Sequence, residues 1–232
     1  MNRIKWIIFT VVTVGIFVTL IIISDSSKID VSKIDINTIQ AASKQNGNIA
    51  DHIYGNPDSK VTLLNYGDFQ CPGCGNAHPL IKKIVEEYKN KIRFVFRNVT
   101  LSYHANAKAA SATAEAAGLQ GKYWEMFNKI YESQSDWSEL SSSSRTPFFE
   151  GYANDLGLDI AKFKVDISSN AVLSKINYDI ELGKKAGVSS TPTFILDGKT
   201  LESSVWGDQT KLTDAINTEL IKNEIELPAT TE

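Results

Sequence analysis

Cys71 and Cys74 are the only cysteines in the 232-residue chain, and they stand in the segment Cys71-Pro72-Gly73-Cys74. One pair cannot build a disulfide scaffold, and it cannot fill a four-cysteine zinc site. Two thiols at this spacing on the first turn of a helix can close and reopen a small disulfide. That chemistry needs a thiolate. Lowering a thiol pKa by three units takes ~4 kcal/mol at ~1.36 kcal/mol per unit. A helix dipole supplies only ~0.3–1 kcal/mol, so direct N–H···S bonds must supply the remainder. Pro72 has no N–H, which leaves the amides of Gly73 and Cys74 as the candidate donors to Cys71. Two other uses of the residues compete. A purely structural disulfide would restrain the unfolded chain little across so short a loop. A metal site of Cys71, Cys74 and His78 lacks an evident fourth ligand.

The neighbouring elements must present this segment between a strand and a helix. Residues 61–66 form a short apolar run, read as a strand. Ala77, Leu80, Ile81, Ile84, Val85 and Tyr88 recur at helical spacing, so a helix runs from Cys71 to about Lys89, kinked at Pro79. A second strand covers 92–96, and 105–117, 121–132, 147–156 and 168–186 read as helices. A third strand at 194–196, the hairpin signal Asp197-Gly198 and a fourth strand at 200–205 follow. Asp208 can cap a last helix whose inner face carries Leu212, Ala215, Ile216 and Leu220. The order is β-α-β, a helical insert, then β-β-α, an α/β pattern.

The chain carries a net charge of −3 with 42% hydrophobic and 22% charged residues, a globular profile. Arg3 and Lys5 are the only charged side chains in 1–23, which leaves −5 for the rest and argues against binding a nucleic-acid backbone. Residues 6–23 are an uncharged run of 18, ~27 Å long as a helix against a ~30 Å hydrocarbon core. The run exceeds a signal-peptide core, and no small-residue cleavage site follows it. An uncleaved anchor is therefore expected over a cleaved signal. Arg3 and Lys5 place residues 1–5 in the cytoplasm and everything after Ser24 outside. Residues 24–48 read as a tether with at most one helical turn, 49–223 as one domain, and 224–232 as a frayed tail.

Taken with these elements, the motifs resemble the thioredoxin superfamily, and within it the membrane-tethered DsbA-like thiol:disulfide oxidoreductases. The matching pieces are His52-Ile53-Tyr54-Gly55 and Asp68-Phe69-Gln70-Cys71-Pro72-Gly73-Cys74, then His104-Ala105-Asn106-Ala107 and Gln120-Gly121-Lys122-Tyr123-Trp124-Glu125-Met126. Gly187-Val188-Ser189-Ser190-Thr191-Pro192-Thr193-Phe194 is the last. The resemblance implies a mixed β-sheet flanked by helices, with an insert at about 104–187 between the second and third core strands. It implies Cys71 as the exposed nucleophile, Cys74 as the buried resolving thiol, and Pro192 as a cis-proline beside the disulfide. Thr191 would turn its backbone toward a substrate chain, with Pro72 and Gly73 in the same substrate-contacting group. The redox-active disulfide needs no soluble cofactor or metal. The implied partners are reduced exported proteins and a membrane quinone-linked protein that reoxidises a monomeric enzyme.

The pattern departs from the family at two places. Many relatives carry a buried carboxylate six residues before the nucleophile, and Asn65 stands there. Proton transfer from Cys74 should then depend on hydroxide or on Asp68, three before Cys71, although Asp68 reads better as a surface or loop-capping residue. The dipeptide Pro72-Gly73 lacks the histidine of the strongest DsbA oxidants, so an intermediate oxidising power is expected. His78 reads as an exposed helix residue, and His104 as a cap or packing residue of the first insert helix. Tyr123, Trp124 and Phe127 read as insert core, and core packing is also the better reading of Tyr131, Trp137, Phe148 and Phe149. The motifs imply an oxidase. A reductase or isomerase of the same fold, and a redox-silent peptide-holding chaperone or metal carrier, remain alternatives.

Overall fold

The computed structural model describes residues 9, 10, 12, 13 and 29–228. The chain divides into a unit up to Asp30 and a second unit from Val31 onward; only the second is described further. The anchor expected at 6–23 falls largely outside the described residues, as do residues 1–5 and the tail from 229. Among the described residues no helix is long and apolar enough to cross a membrane.

The second unit is built on a five-stranded mixed sheet in the order β1-β3-β2-β4-β5. Its strands are β1 (Ile53–Gly55), β2 (Thr62–Gly67), β3 (Arg93–Asn98), β4 (Thr193–Leu196) and β5 (Lys199–Leu201). β2 pairs parallel with β3, and all the other pairings are antiparallel. Every residue of β2 is buried, as a central strand covered on both faces requires. Helix α1 (Pro72–Glu87) makes the β2–β3 crossover. The insert follows β3 as α2 (Ala107–Gly118), α3 (Tyr123–Glu132), α4 (Gln134–Trp137), α5 (Ser142–Asp155), α6 (Ile160–Asp166) and α7 (Asn170–Lys185). α8 (Ser203–Trp206) and α9 (Gln209–Lys222) complete the fold.

The insert shares the core of the sheet. Phe69 and Phe96 lie 5.0 Å apart by ring centroid, and Phe127 and Tyr131 of α3 close over them at 5.0 and 4.9 Å. Tyr123, Trp137 and Phe149 are buried, and Trp124 and Phe148 pack against the same core. Asp197 and Gly198 both have positive φ in the β4–β5 turn, and the Asp208 side chain caps α9 through Lys211 N–H.

Several expectations are corrected. The fourth strand ends at Leu201 rather than 205, because Glu202 takes extended backbone at the N-cap of α8. β1 and the short helices α4 and α6 have no counterpart in the sequence reading. α5 starts at Ser142, capped by Ser141, and runs through Pro147 instead of starting there. Over 31–48 the expected tether is folded onto the domain. The guanidinium of Arg97 donates to the carbonyls of Ile36 (2.6 Å) and Thr38 (2.7 Å), and Lys185 Nζ donates to those of Val31, Ser32 and Ile34. Ser43 and Asn46 form a capping box around a single 3-10 turn, Lys44–Asn46. A polar stretch has thus been ordered by the buried Arg97 guanidinium, which needs its carbonyls, and by the exposed Lys185 ammonium. The tail is anchored at its start, where Ile225 N–H donates to Leu220 O at 2.9 Å.

Where α7 packs on the sheet lies a buried ionic network. Asp51 accepts from Arg97 (2.8 Å) and Lys175 (2.9 Å), and Lys175 also reaches Asp179 at 2.6 Å. Asn98 donates to Asp179 and to Glu115, and Glu115 contacts His52 at 2.9 Å. Burial alone would push Lys175 down, but Asp179, Asp51 and Glu115 hold it above its ordinary range.

A dithiol site at the first turn of α1

Cys71 is the N-cap of α1, with extended backbone, and Pro72 takes the first helical position. Proline suits that position because its missing N–H would have no intrahelical partner. The Cys71 carbonyl accepts from Gly75 N–H at 3.1 Å, so the two sulfurs sit at the start of one turn. Both cysteines are free thiols. Cys71 is half-buried and Cys74 is 4% exposed.

The two thiols are polarised in opposite senses. The Cys74 thiol donates to Cys71 and holds it down to about 5 against the cost of burial, helped by Thr191 and by the amides of Cys74 and Gly73. These are the two amides expected from the missing N–H of Pro72. As a thiol, Cys71 Sγ donates to the Thr191 carbonyl at 3.4 Å. An ionised sulfur cannot donate, and the otherwise unpartnered Thr191 hydroxyl then serves as a donor. Cys74 is pushed far up by burial and by its bond to Cys71, with a backbone hydrogen bond from Asp68 acting in the opposite sense.

The Thr191–Pro192 bond is cis. A Cβ placed on Gly73 would lie 3.5 Å from Pro192 Cδ and 3.7 Å from both Cys71 Sγ and Thr191 O. Gly73, Thr191 and Pro192 therefore lie together beside the Cys71 sulfur.

The loop before Cys71 is held by residues of the insert. Asp68 is fully buried, not on the surface. Its carboxylate accepts from the N–H groups of Gln70 (2.8 Å) and Leu101 (2.9 Å) and contacts His104 Nδ1 at 2.8 Å. His104 therefore braces the Asp68 loop rather than capping α2. Gln70 Nε2 donates to Ser138 O, and its Oε1 accepts from Asn106 N–H. Asn106 in turn donates to the carbonyls of Trp137, Ser138 and Leu140. Gln134 donates to the carbonyls of Phe69 (2.6 Å) and Cys71 (3.0 Å). Gly75 makes room for that side chain, since a Cβ there would stand 2.3 Å from Gln134 Oε1. Gln134 and Asn106 carry no local signal of this role, because their partners lie dozens of residues away.

His78 is a second correction. It is not exposed: only 6% of it is accessible, its ring stacks on Tyr131 at 5.0 Å, and burial pushes it down to about 4. Asn65 is buried on β2, and its amide donates to Thr193 O at 3.3 Å.

The family model described as Thioredoxin matches residues 47–217. Curated relatives include the Na(+)/H(+) antiporter NhaA 1 of Salinispora arenicola, 36% identical over 150 residues that cover 64% of this chain and 22% of the antiporter. NhaA 1 of Mycolicibacterium gilvum is 33% identical over 154 residues, covering 64% of this chain and 24% of that one. The chain thus spans less than a quarter of the length of these relatives. Among solved structures, a thioredoxin-like oxidoreductase from Silicibacter pomeroyi is 25% identical at a TM-score of 0.60, covering 73% of this chain and 91% of that one. BdbD from Bacillus subtilis superposes at 0.64 with 21% identity over 79% of this chain and 98% of its own. Alpha-DsbA1 from Wolbachia pipientis superposes at 0.63 with 22% identity over 74% and 92%. The chain belongs to the thioredoxin family.

Proposed function

We propose that this chain is a membrane-anchored, extracytoplasmic enzyme that introduces disulfides into exported proteins through Cys71 and Cys74. One observation carries the direction of electron flow: the Cys71 thiolate is stabilised to about 5. A thiol that ionises this readily is a good leaving group and favours the reduced enzyme, which makes the disulfide form an oxidant. In the forward reaction a client thiolate attacks Cys71 Sγ of the enzyme disulfide, the S–S bond breaks, and Cys74 leaves and is protonated. A second client thiolate attacks the client sulfur of the mixed disulfide. The client disulfide forms, and Cys71 departs as a thiolate. The client is oxidised by two electrons and the enzyme pair is reduced.

Thr191, Pro72 and Gly73 ring the nucleophile and are the residues an extended client would meet. The apolar run at 6–23, with Arg3 and Lys5 before it, would hold the enzyme in the membrane with its site outside. There a quinone-linked membrane protein would reoxidise it, and it would work as a monomer.

The reduction potential tests the direction. Equilibration with glutathione redox buffers, read by trapping the thiols, should give a value between the ~−120 mV of a strong oxidant and the ~−180 mV of an isomerase. A value near ~−270 mV would make the protein a reductase and overturn the oxidase reading.

A further inference from the structure

Cys74 must lose a proton whenever it attacks and regain one whenever it leaves, yet it lies sealed below Cys71 in surroundings that oppose its ionisation. A shielded thiol needs a nearby group to carry that proton. Asn65 has no useful basicity. Asp68 has its carboxylate committed to Gln70, Leu101 and His104.

A third group remains. A cleft of about 240 Å³ is lined by Cys74, Asn65, Tyr131, Pro192 and His78. A larger groove of about 380 Å³ opens on the other side, lined by Tyr54, Lys82, Glu86, Trp124 and Asn128. Four residues border both spaces: His78, Ile81, Phe94 and Phe127. Only His78 among them can titrate. It lies one helical turn beyond Cys74, on the same face of α1. Its Nε2 is buried with no hydrogen-bond partner, and the Tyr131 hydroxyl in the same cleft is also unpartnered. Unsatisfied polar atoms lining a cleft with room for a single water are where a bridging water binds.

We propose that His78 is the proton-transfer residue for Cys74, linking that thiol to solvent in the outer groove through its ring. This rests on the dithiol reading of Cys71 and Cys74. When Cys74 attacks Cys71 of a mixed disulfide, its proton passes to the imidazole through one water, and then to bulk water. When Cys74 leaves a disulfide, the proton returns by the same route. The groups facing His78 are Cys74, Lys82 and Glu86 on its own helix, Tyr131 and Glu132 on α3, and Tyr54 on β1 across the groove. Burial keeps the ring neutral above about 4, so its lone pair is free throughout the neutral range, while the same burial makes it a weaker base than an exposed imidazole. The relay is lost only as the ring protonates at lower pH.

The test uses the reduced full-length protein and oxidised glutathione. In the first step the Cys71 thiolate attacks one glutathione sulfur and releases a glutathione thiolate. In the second, Cys74 attacks Cys71 Sγ and releases the other, closing Cys71–Cys74 while its proton goes to His78. Stopped-flow quenching separates the two steps from pH 5.5 to 9. In the parent the second step should be nearly flat to about pH 7.5. In His78→Phe, which keeps the stack on Tyr131, it should fall at least tenfold at pH 6 and climb about tenfold per pH unit as hydroxide takes over. The first step should be unchanged. His78→Gln keeps a polar side chain without basicity, so it serves if the Phe variant misfolds and should show the same loss. Parent-like rates and pH profile in either folded variant would overturn the assignment. A parent that never forms the mixed disulfide would overturn the thiol-exchange reading itself.

Discussion

Cys71 and Cys74 have the same side chain, and their surroundings alone make one a leaving group and the other a shielded thiol. Cys71 collects donors and stays half-open, whereas Cys74 is enclosed and gives its own proton to Cys71. The folded pKa of Cys71, about 5, lies below the ~8.5 of an unfolded chain. Its contribution to the stability of the reduced protein is therefore complete above about pH 8.5 and is lost as pH falls through 5. The reduced form should gain denaturant resistance relative to Cys71→Ala between pH 4 and 8. Iodoacetamide should modify Cys71 with an apparent midpoint near 5 while Cys74 is spared. A midpoint near 8.5 would show that the donors do not act on the sulfur. This part of the site was legible in the sequence, because Cys71, Pro72, Gly73 and Cys74 act through one local turn. His78 was misread for the opposite reason. Its burial comes from the aromatic face of α3, which helical spacing in α1 says nothing about.

At the scale of elements, the insert supports the active-site loop. One amide, that of Asn106, donates to three carbonyls of the α4–α5 connection, while Gln134 holds the carbonyls on either side of Gln70. Asn106→Ala strips donors from buried carbonyls, each worth about 1–3 kcal/mol when left unpaired. The urea midpoint should drop accordingly, and Cys71 alkylation should lose its low-pH midpoint if the loop loosens. An unchanged midpoint in both measurements would separate the insert from the site. The long periodic helices α1, α2, α3 and α7 were readable in outline, since an apolar stripe repeats over several turns. β1 and α4, with three and four residues, are too short to show a period. They exist because of their partners: β1 pairs along β3, and Gln134 is fixed by the loop it holds.

The whole molecule depends on a network that local pattern could not reveal. Asp51 precedes the sheet, Arg97 and Asn98 lie on β3, Glu115 on α2, and Lys175 and Asp179 on α7, and the core gathers them from across the chain. Lys175→Met would leave Asp51 and Asp179 facing each other without their shared cation. Losing one partner of a buried pair typically costs about 3–5 kcal/mol, so the melting temperature should fall sharply while glutathione exchange at Cys71 persists in the folded fraction. Undiminished stability would mean that the two carboxylates take up protons instead. Arg97 also binds the chain over 36–38, so the same network fixes a segment whose composition suggested a loose tether.

Lys175 has a further use that follows from its seclusion. It is the one lysine among the described residues with no accessible surface. Amine acylating reagents would modify the exposed lysines of the native protein within minutes and leave this one untouched. Its ammonium becomes a target only when α7 parts from the sheet, so the slow appearance of an acyl group on Lys175, read by peptide mass, counts the openings of the fold. The side chain that neutralises the interior thus doubles as a built-in clock for unfolding.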